Sequence, residues 1–436
     1  MTGIIKTQQH ILDKLGIAQL NPMQEEAHLA IQSCSEVVLL SPTGTGKTLA
    51  FLLPLIAELE SESTEIQILI IVPSRELAIQ IEQVTREMGA GYKTNAVYGG
   101  RTRSKDKIDI KHRPAILIGT PGRIADHLKR GNFSPEHITS LVLDEFDKSL
   151  EVGFEEEMAE IMAALPQLRK KILTSATHEL TIPRFVGLEQ PTVIDYLDEG
   201  IELLKIKSIL SPEKDKLETL VAALSHLGNQ PGIIFCNFKE SIHRISDFLQ
   251  EKNIPHGCYY GGMEQIDRER ALIKFRNGTH QLIIATDLAA RGLDIPEIKF
   301  ILHYHLPTRK REFTHRNGRT ARMHQEGTAY VLHWDQEELP DFIDAPEVEV
   351  LLEAPIPGPP EWKTLFISGG RKDKISKGDI AGLCCKQGNL NQDDLGVIEL
   401  KQDCAFVGVK ASKVDQLIEL INNTKLKKKK VRVRVV

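Results

Sequence analysis

Short apolar runs rich in valine, isoleucine and leucine alternate with longer stretches of helical period through most of this chain. The runs Val37–Leu40, Ile68–Val72, Ala115–Ile118, Ser140–Leu143 and Lys171–Thr174 read as strands. Between them lie amphipathic segments such as Arg75–Met88 and Phe154–Leu165. Strands that are apolar throughout, without polar alternation, are covered on both faces. The pattern therefore predicts a doubly wound parallel α/β sheet.

A second series follows Asp195–Ile206, with strands at Gly232–Phe235, Gln281–Thr286, Lys299–His303 and Thr328–Leu332 and helices at Glu240–Lys252 and Asp267–Arg276. The expectation is two similar α/β domains, residues 1–195 and 207–335, joined by a linker at 196–206. Residues 336–362 are acidic and proline-rich, ending in Ile356-Pro357-Gly358-Pro359-Pro360 and two further residues, and read as a tether. Beyond it, Thr364–Ser368, Lys377–Lys386, Val397–Leu400, Ala405–Val409, Val414–Asn422 and Val431–Val435 predict a β-α-β-β-α-β unit, a small α+β domain over 363–436.

Composition narrows the class. Apolar residues make up 41% and charged residues 26%, as in globular proteins. No apolar run is long enough for a membrane span, and Met1–Lys6 opens no secretory leader, so the expected location is the cytoplasm and no membrane partner is expected. The six cysteines show no C-x-x-C spacing and read as reduced thiols. The net charge of −5 conceals an asymmetry, because Thr364–Val436 carries +7 and the rest of the chain −12. A basic tail on an acidic body points to the tail as the polyanion-seeking part.

Three local patterns carry chemistry. Ser41-Pro42-Thr43-Gly44-Thr45-Gly46-Lys47-Thr48 follows the first strand and opens an apolar helix. Backbone amides of such a loop cradle phosphates, Lys47 reaches the β/γ-phosphates, and the Thr48 hydroxyl meets Mg²⁺. Asp144-Glu145-Phe146-Asp147 follows the strand Ser140–Leu143, where residues past a strand's C-terminal end face the ligand crevice. Asp144 is placed to hold Mg²⁺ and Glu145 to orient or deprotonate the attacking water. Far along the chain, His315-Arg316-Asn317-Gly318-Arg319-Thr320-Ala321-Arg322 supplies arginines. If that segment is helical, Arg319 and Arg322 share one face.

With these three in order, the chain resembles the DEAD-box RNA helicases of superfamily 2, over roughly residues 7–335. Gln24 matches the segment that reads adenine. Pro73-Ser74-Arg75-Glu76-Leu77-Ala78, Gly99-Gly100 and Thr120-Pro121-Gly122-Arg123 match segments that hold the RNA backbone in that family. The resemblance thereby implies RNA contacts for Pro73, Arg75, Gly100, Thr120, Pro121 and Arg123. Ser175-Ala176-Thr177, with Asp147, matches the coupling between nucleotide and RNA. In the second domain, Phe235-Cys236-Asn237, Gln265-Ile266-Asp267-Arg268 and Ala285–Asp294 match further motifs. They imply RNA contacts for Gln265, Arg268 and Thr286, a ribose contact for Asp294, and γ-phosphate contacts for Arg319 and Arg322. The implied fold is two RecA-like domains, and the implied cofactors are ATP and Mg²⁺.

The sequence also departs from that family's pattern. Phe146 stands where alanine is usual, Leu20 and Asn21 replace the usual proline and threonine, and no aromatic precedes Gln24 to stack on adenine. Thr364–Val436 resembles the RNA-binding domain of bacterial DbpA/YxiN-type helicases, an RRM-like fold that implies large-subunit ribosomal RNA and a pre-ribosomal particle as partners of a monomer. Within it, Phe366 is a candidate stacking residue and Arg371, Lys372 and Lys374 are candidate phosphate contacts. The resulting expectation is an RNA-dependent ATPase that opens short RNA duplexes. A DNA-directed superfamily 2 helicase and an ATP-gated RNA clamp with little unwinding are the alternatives.

Overall fold

The computed structural model describes residues 6–178, 181–198, 203–287, 298–320, 326–344 and 346–436. The chain forms two compact units, and the second, from Leu203 onward, holds both the second α/β domain and the C-terminal domain.

The first domain is built on β1 (Glu36–Leu40), β2 (Ile68–Ile71), β3 (Thr94–Val97), β4 (Ile116–Gly119), β5 (Ser140–Leu143), β6 (Lys170–Ser175) and β7 (Thr192–Asp195). They form one sheet in the order β3-β4-β2-β5-β6-β1-β7, with every pairing parallel. The two faces fill separate cores. Val37, Leu39, Ile68 and Ile70 enter one cluster, while Val38, Leu40, Leu69 and Ile71 enter the other. That division follows from the two-residue period of a strand, and it explains why these runs are apolar at every position.

The second domain uses β8 (Leu204–Ser211), β9 (Gly232–Cys236), β10 (Gly257–Tyr259), β11 (Leu282–Thr286), β12 (Phe300–His303), β13 (Gly327–Trp334) and β14 (Glu347–Val348). Their order is β10-β11-β9-β12-β13-β8-β14, which is the first domain's order repeated strand for strand. Two segments read from sequence as connections are therefore partly sheet. β8 begins at Leu204, inside the 196–206 stretch, and pairs with β13 along its whole length. β14 lies inside the acidic 336–362 stretch and pairs with β8. It is fastened there by Lys207 Nζ on Glu349 (2.5 Å) and by the Glu349 amide on the Ser208 carbonyl (2.8 Å).

The C-terminal domain comprises β15 (Trp362–Ile367), β16 (Leu395–Leu400), β17 (Ala405–Lys410), a small hairpin of β18 (Lys425–Leu426) and β19 (Lys429–Lys430), and β20 (Val433–Val435). The main sheet is antiparallel in the order β16-β17-β15-β20, with helices Lys377–Gly382 and Val414–Ile421 packed on one face. Phe366 and Phe406 are register partners on the opposite face. That face turns toward the second α/β domain. Arg276 Nε pairs with Glu399 (3.0 Å), Thr279 and Asn277 hydrogen-bond Thr364 (2.7 and 3.3 Å), and Trp362 packs against Gly278.

Candidate nucleotide site and RNA-facing segments

The loop after β1 closes tightly because Gly44 and Gly46 adopt φ of 91° and 89°, a region open to glycine at no steric cost. A Cβ on Gly46 would meet Gln24 Nε2 at 2.3 Å. Gln24 instead donates to the Gly46 carbonyl (3.2 Å) and accepts from the Asn21 amide (3.1 Å), while Asn21 Nδ2 donates to the Thr45 carbonyl (3.0 Å). Asn21 also caps the helix Pro22–Ser33 in a reciprocal capping box with Gln24. The unusual Asn21 thus serves as both helix cap and loop brace.

Inside the loop, Ser41 Oγ lies 2.7 Å from Thr45 Oγ1, which donates to the Pro42 carbonyl (3.0 Å). Ser41 therefore stands in a structural role where a looser pattern has glycine. Lys47 Nζ donates to the carbonyls of Ser41 (2.5 Å) and Pro42 (2.8 Å). Burial pushes the Lys47 ammonium down to about 8, against the opposing pull of Asp144 and Glu145. Thr43 and Thr48 remain partly exposed along the loop and the first turn of the helix Lys47–Ala57.

Asp144 and Glu145 sit past the end of β5, both buried. Thr174 Oγ1 donates to Asp144 Oδ1 (2.5 Å), and the Glu145 amide donates to the same oxygen (3.1 Å). Burial, then the adjacent Glu145 charge, pushes the Asp144 carboxyl up to about 6. A carboxylate held at such cost beside a phosphate loop suits a divalent cation, which would relieve it. Glu145 has φ 48° and ψ 47°, a left-handed conformation rare for a side-chain-bearing residue, and Lys148 Nζ reaches its Oε1 at 2.8 Å. Phe146 is fully buried in the cluster of Leu141, Leu143, Met158, Leu173 and Val186. The larger residue of the tetrad is absorbed by the core, away from the loop's own hydrogen bonds.

Ser175 and Thr177 form a turn in which Ser175 Oγ accepts from the Thr177 amide (3.1 Å). The Ser41 amide donates to the Ser175 carbonyl (3.1 Å), joining the phosphate loop to this turn through one peptide group. Asp147, in the helix Phe146–Glu151, is buried.

Of the remaining first-domain residues, Pro73 and Arg75 flank Ser74, which caps the helix Arg75–Met88 by accepting from the Leu77 amide (3.2 Å). Gly100 is exposed at φ 88°, and a Cβ there would come within 2.8 Å of the Arg75 guanidinium. Thr120 and Pro121 start the helix Pro121–Lys129, with Pro121 buried. Arg123 donates to Asp106 Oδ2 (2.6 Å) and to the Arg101 carbonyl (2.9 Å). Its guanidinium is thus held by a buried carboxylate, a positioning arrangement that sequence alone presents as a free cation.

In the second domain, Gln265 opens the helix Gln265–Arg276, Arg268 lies 4.9 Å over the Tyr259 ring, and Thr286 ends β11. The helix Lys310–Asn317 closes at Gly318, and Arg319 follows in a turn. The shared helix face expected for Arg319 and Arg322 is therefore absent at Arg319. Asp294 and Arg322 lie outside the described residues. Sequence reading passed over Arg316, which is buried and central. Its guanidinium donates to both oxygens of Asp287 (2.6 and 2.5 Å), to the His305 carbonyl (2.8 Å) and to Asn237 Oδ1 (2.8 Å). No local signal separates it from Arg319, because its partners lie up to 79 residues away.

In the C-terminal domain Phe366 and Phe406 meet edge to face at 5.7 Å, and the Arg434 guanidinium lies 5.1 Å over the Phe366 ring. Arg371, Lys372 and Lys374 are exposed on the turn after β15.

A glycine-shaped phosphate loop, a buried acidic pair and a repeated parallel sheet define a P-loop nucleotide hydrolase core. Residues 21–184 match the DEAD/DEAH box helicase family, 215–324 the helicase conserved C-terminal domain, and 364–435 the DbpA RNA binding domain. The chain is 30% identical to the ATP-dependent RNA helicase DbpA of Bacillus subtilis, covering 97% of this chain and 96% of that protein. It is also 30% identical to the Escherichia coli DbpA, with 97% and 96% covered. In fold it is similar to Saccharomyces cerevisiae Dbp5 bound to RNA and ADP BeF3 (TM-score 0.67, 24% identity, 76% and 88% covered). It is likewise similar to Mss116p bound to ssRNA and AMP-PNP (TM-score 0.65, 25% identity, 75% and 72% covered). The chain belongs to the DEAD-box ATP-dependent RNA helicases of the DbpA type. It is an ATP-hydrolysing enzyme with RNA as its partner.

Proposed function

We propose that this helicase opens short duplexes in large-subunit ribosomal RNA during assembly of a pre-ribosomal particle, acting as a cytoplasmic monomer. The observation that carries this reading is the exposed basic cluster at one end of the C-terminal domain. Arg371, Lys372, Lys374, Lys427 and Lys428 are exposed on two neighbouring loops, held together by Lys427 Nζ, which donates to the Lys374 carbonyl and pairs with Asp379 (both 2.6 Å). Such a cluster holds phosphates without reading bases, which suits a structured RNA recognised by shape.

In the first domain the amides of residues 41–48 bind the ATP phosphates, and Lys47 neutralises charge on the β/γ-phosphates. Thr48 and Asp144 are the residues that would hold Mg²⁺, which when bound draws charge from the phosphate oxygens. Glu145 accepts the proton of the attacking water. Ser41, Thr43 and Thr45 shape the loop, and Gln24 holds it against the adenine side. In the second domain Arg319 and Arg322 are assigned to charge stabilisation and Asp294 to the ribose. RNA backbone contacts are assigned to Pro73, Arg75, Gly100, Thr120, Pro121, Gln265, Arg268 and Thr286, with Arg123 orienting its segment. Asp147, Ser175 and Thr177 couple the two ligands.

The test is ATPase stimulation by ribosomal RNA fragments against generic RNA, on the full chain and on residues 1–362. Preference for the ribosomal fragments that vanishes on truncation is expected. Equal stimulation by both RNAs in both proteins would remove the targeting role of the C-terminal domain.

A further inference from the structure

A cleft of about 470 Å³ runs along the seam where the C-terminal sheet meets the helix Gln265–Arg276. Its walls include Arg270 and Lys274 from the helix, His280 from the following loop, and Phe366, Phe406 and Arg434 from the sheet. One ion-pair network staples the seam at the edge strand Leu395–Leu400, joining Arg276 with Glu399 (3.0 Å), Glu399 with Lys401 (3.6 Å) and Lys401 with Glu269 (3.9 Å). Within the cleft the charges are unbalanced. Arg270 shares Asp267 at 3.3 Å, whereas Lys274 and Arg434 meet no carboxylate among the described residues.

Lys274 is also electrostatically uncomfortable. Loss of water, then the neighbouring Arg270, lowers its pKa, and an anion beside the ammonium would oppose both effects. Beside it, His280 Nδ1 is buried without a hydrogen-bond partner. Burial, then Lys274, pushes this imidazole down to about 4, so it is neutral at pH 7 and can donate or accept at the edge of a base. Across the cleft, the guanidinium stacked on Phe366 offers a flat cationic surface of the kind on which unstacked bases settle.

We propose that this seam holds one unstacked ribonucleotide of the bound RNA, its base beside the Phe366–Arg434 stack and its phosphate between Arg270 and Lys274. The volume suits a single nucleotide and is too small for a stem. The site is composite: the sheet supplies the stacking surface and the helix supplies most of the phosphate charge. It rests on RNA binding by the C-terminal domain, and it adds a subsite on the sheet face, apart from the basic loops.

The experiment uses the full chain and a single-stranded oligoribonucleotide carrying 4-thiouridine, with generic and ribosomal sequences as separate probes. Photo-crosslinks are expected on residues 265–280 or 362–367. The Lys274→Gln/Arg434→Gln pair should weaken binding of both probes at least about threefold. It should also flatten the dependence of log Kd on log salt by about 0.7, the effect of one phosphate contact on a single strand. Phe366→Leu, which keeps the seam apolar, should lose the crosslink while retaining the salt slope. A double variant with the parent's melting temperature, affinity and slope would overturn the seam site. Failure of the ribosomal preference alone leaves this result readable, since generic RNA reports it too.

Discussion

Gln24 Nε2 donates to the carbonyl of Gly46 at 3.2 Å, and a side chain at that glycine would have no room beside it. The carboxamide is therefore a brace for the loop. Gln24→Ala should raise the ATP KM several-fold and lower first-domain stability by about 1–2 kcal/mol. Gln24→Glu keeps the acceptor for the Asn21 amide but loses the donor, so it should weaken ATP as well. Nucleotide titrations with both variants separate brace from bystander: parent-like affinity in both would contradict the brace.

Lys47→Ala should reduce RNA-stimulated ATP hydrolysis at least about 100-fold, because no other ammonium occupies the phosphate loop. Glu145→Gln should lose turnover to a similar extent and still retain RNA in the presence of ATP. Steady-state hydrolysis and RNA retention, measured together, are the check. A Glu145→Gln protein turning over at the parent rate would show that another group activates water.

Phe146→Ala restores the letter usual in this family, yet here it should do harm. The ring is fully buried in the core on one face of the sheet, and its deletion leaves a cavity costing about 3–5 kcal/mol. Chemical denaturation should show a lower midpoint for Phe146→Ala and a smaller loss for Phe146→Leu. An alanine variant as stable as the parent would mean the surrounding core collapses onto the site.

Arg316→Ala leaves Asp287 and Asn237 without their guanidinium and should destabilise the second domain by about 3–5 kcal/mol. Arg316→Lys should recover little, since an ammonium cannot span both Asp287 oxygens, Asn237 and the His305 carbonyl together. Trp334, at the end of β13, reports the unfolding of this domain by fluorescence.

The second domain should be acid-labile. Burial pushes His303 down to about 3 and His280 and His305 down to about 4. The unfolded chain takes up these protons below about pH 6.5, whereas the folded domain does not until near pH 4. Stability is complete above pH 6.5 and is lost as pH falls toward 4. For fully buried His303 the slope is at most about 1.4 kcal/mol per pH unit. Melting temperatures between pH 7 and 5 should fall, and His303→Gln should flatten that fall whatever its effect at pH 7.

Central strands such as Ile68–Ile71 and Gly232–Cys236 were legible because burial on both faces demands unbroken apolar runs. The strands that escaped are peripheral or mixed. Thr94–Val97 and Thr192–Asp195 are edge strands with polar positions, and Leu204–Ser211 interleaves Lys205 and Lys207 with its apolar residues. The nucleotide loop and Asp144 were legible because adjacent residues make the site. The Arg316 hub, the Gln24 brace and the clamp on Arg123 join residues distant in sequence, and nothing local announces such partners.

The two-residue strand Glu347–Val348 is the counterpart, in the second sheet, of Thr192–Asp195 in the first. The helicase core therefore extends past its last recognisable motif, into the acidic stretch that resembles a disposable leash. Anyone shortening the chain at residue 335 would strip a strand from β8 and bare its hydrogen-bonding edge, an invitation to aggregate. A boundary after Leu352, which keeps Leu351 on the core and the Leu352 amide on His226, respects the architecture, and it would keep a failed truncation from being mistaken for a failed enzyme.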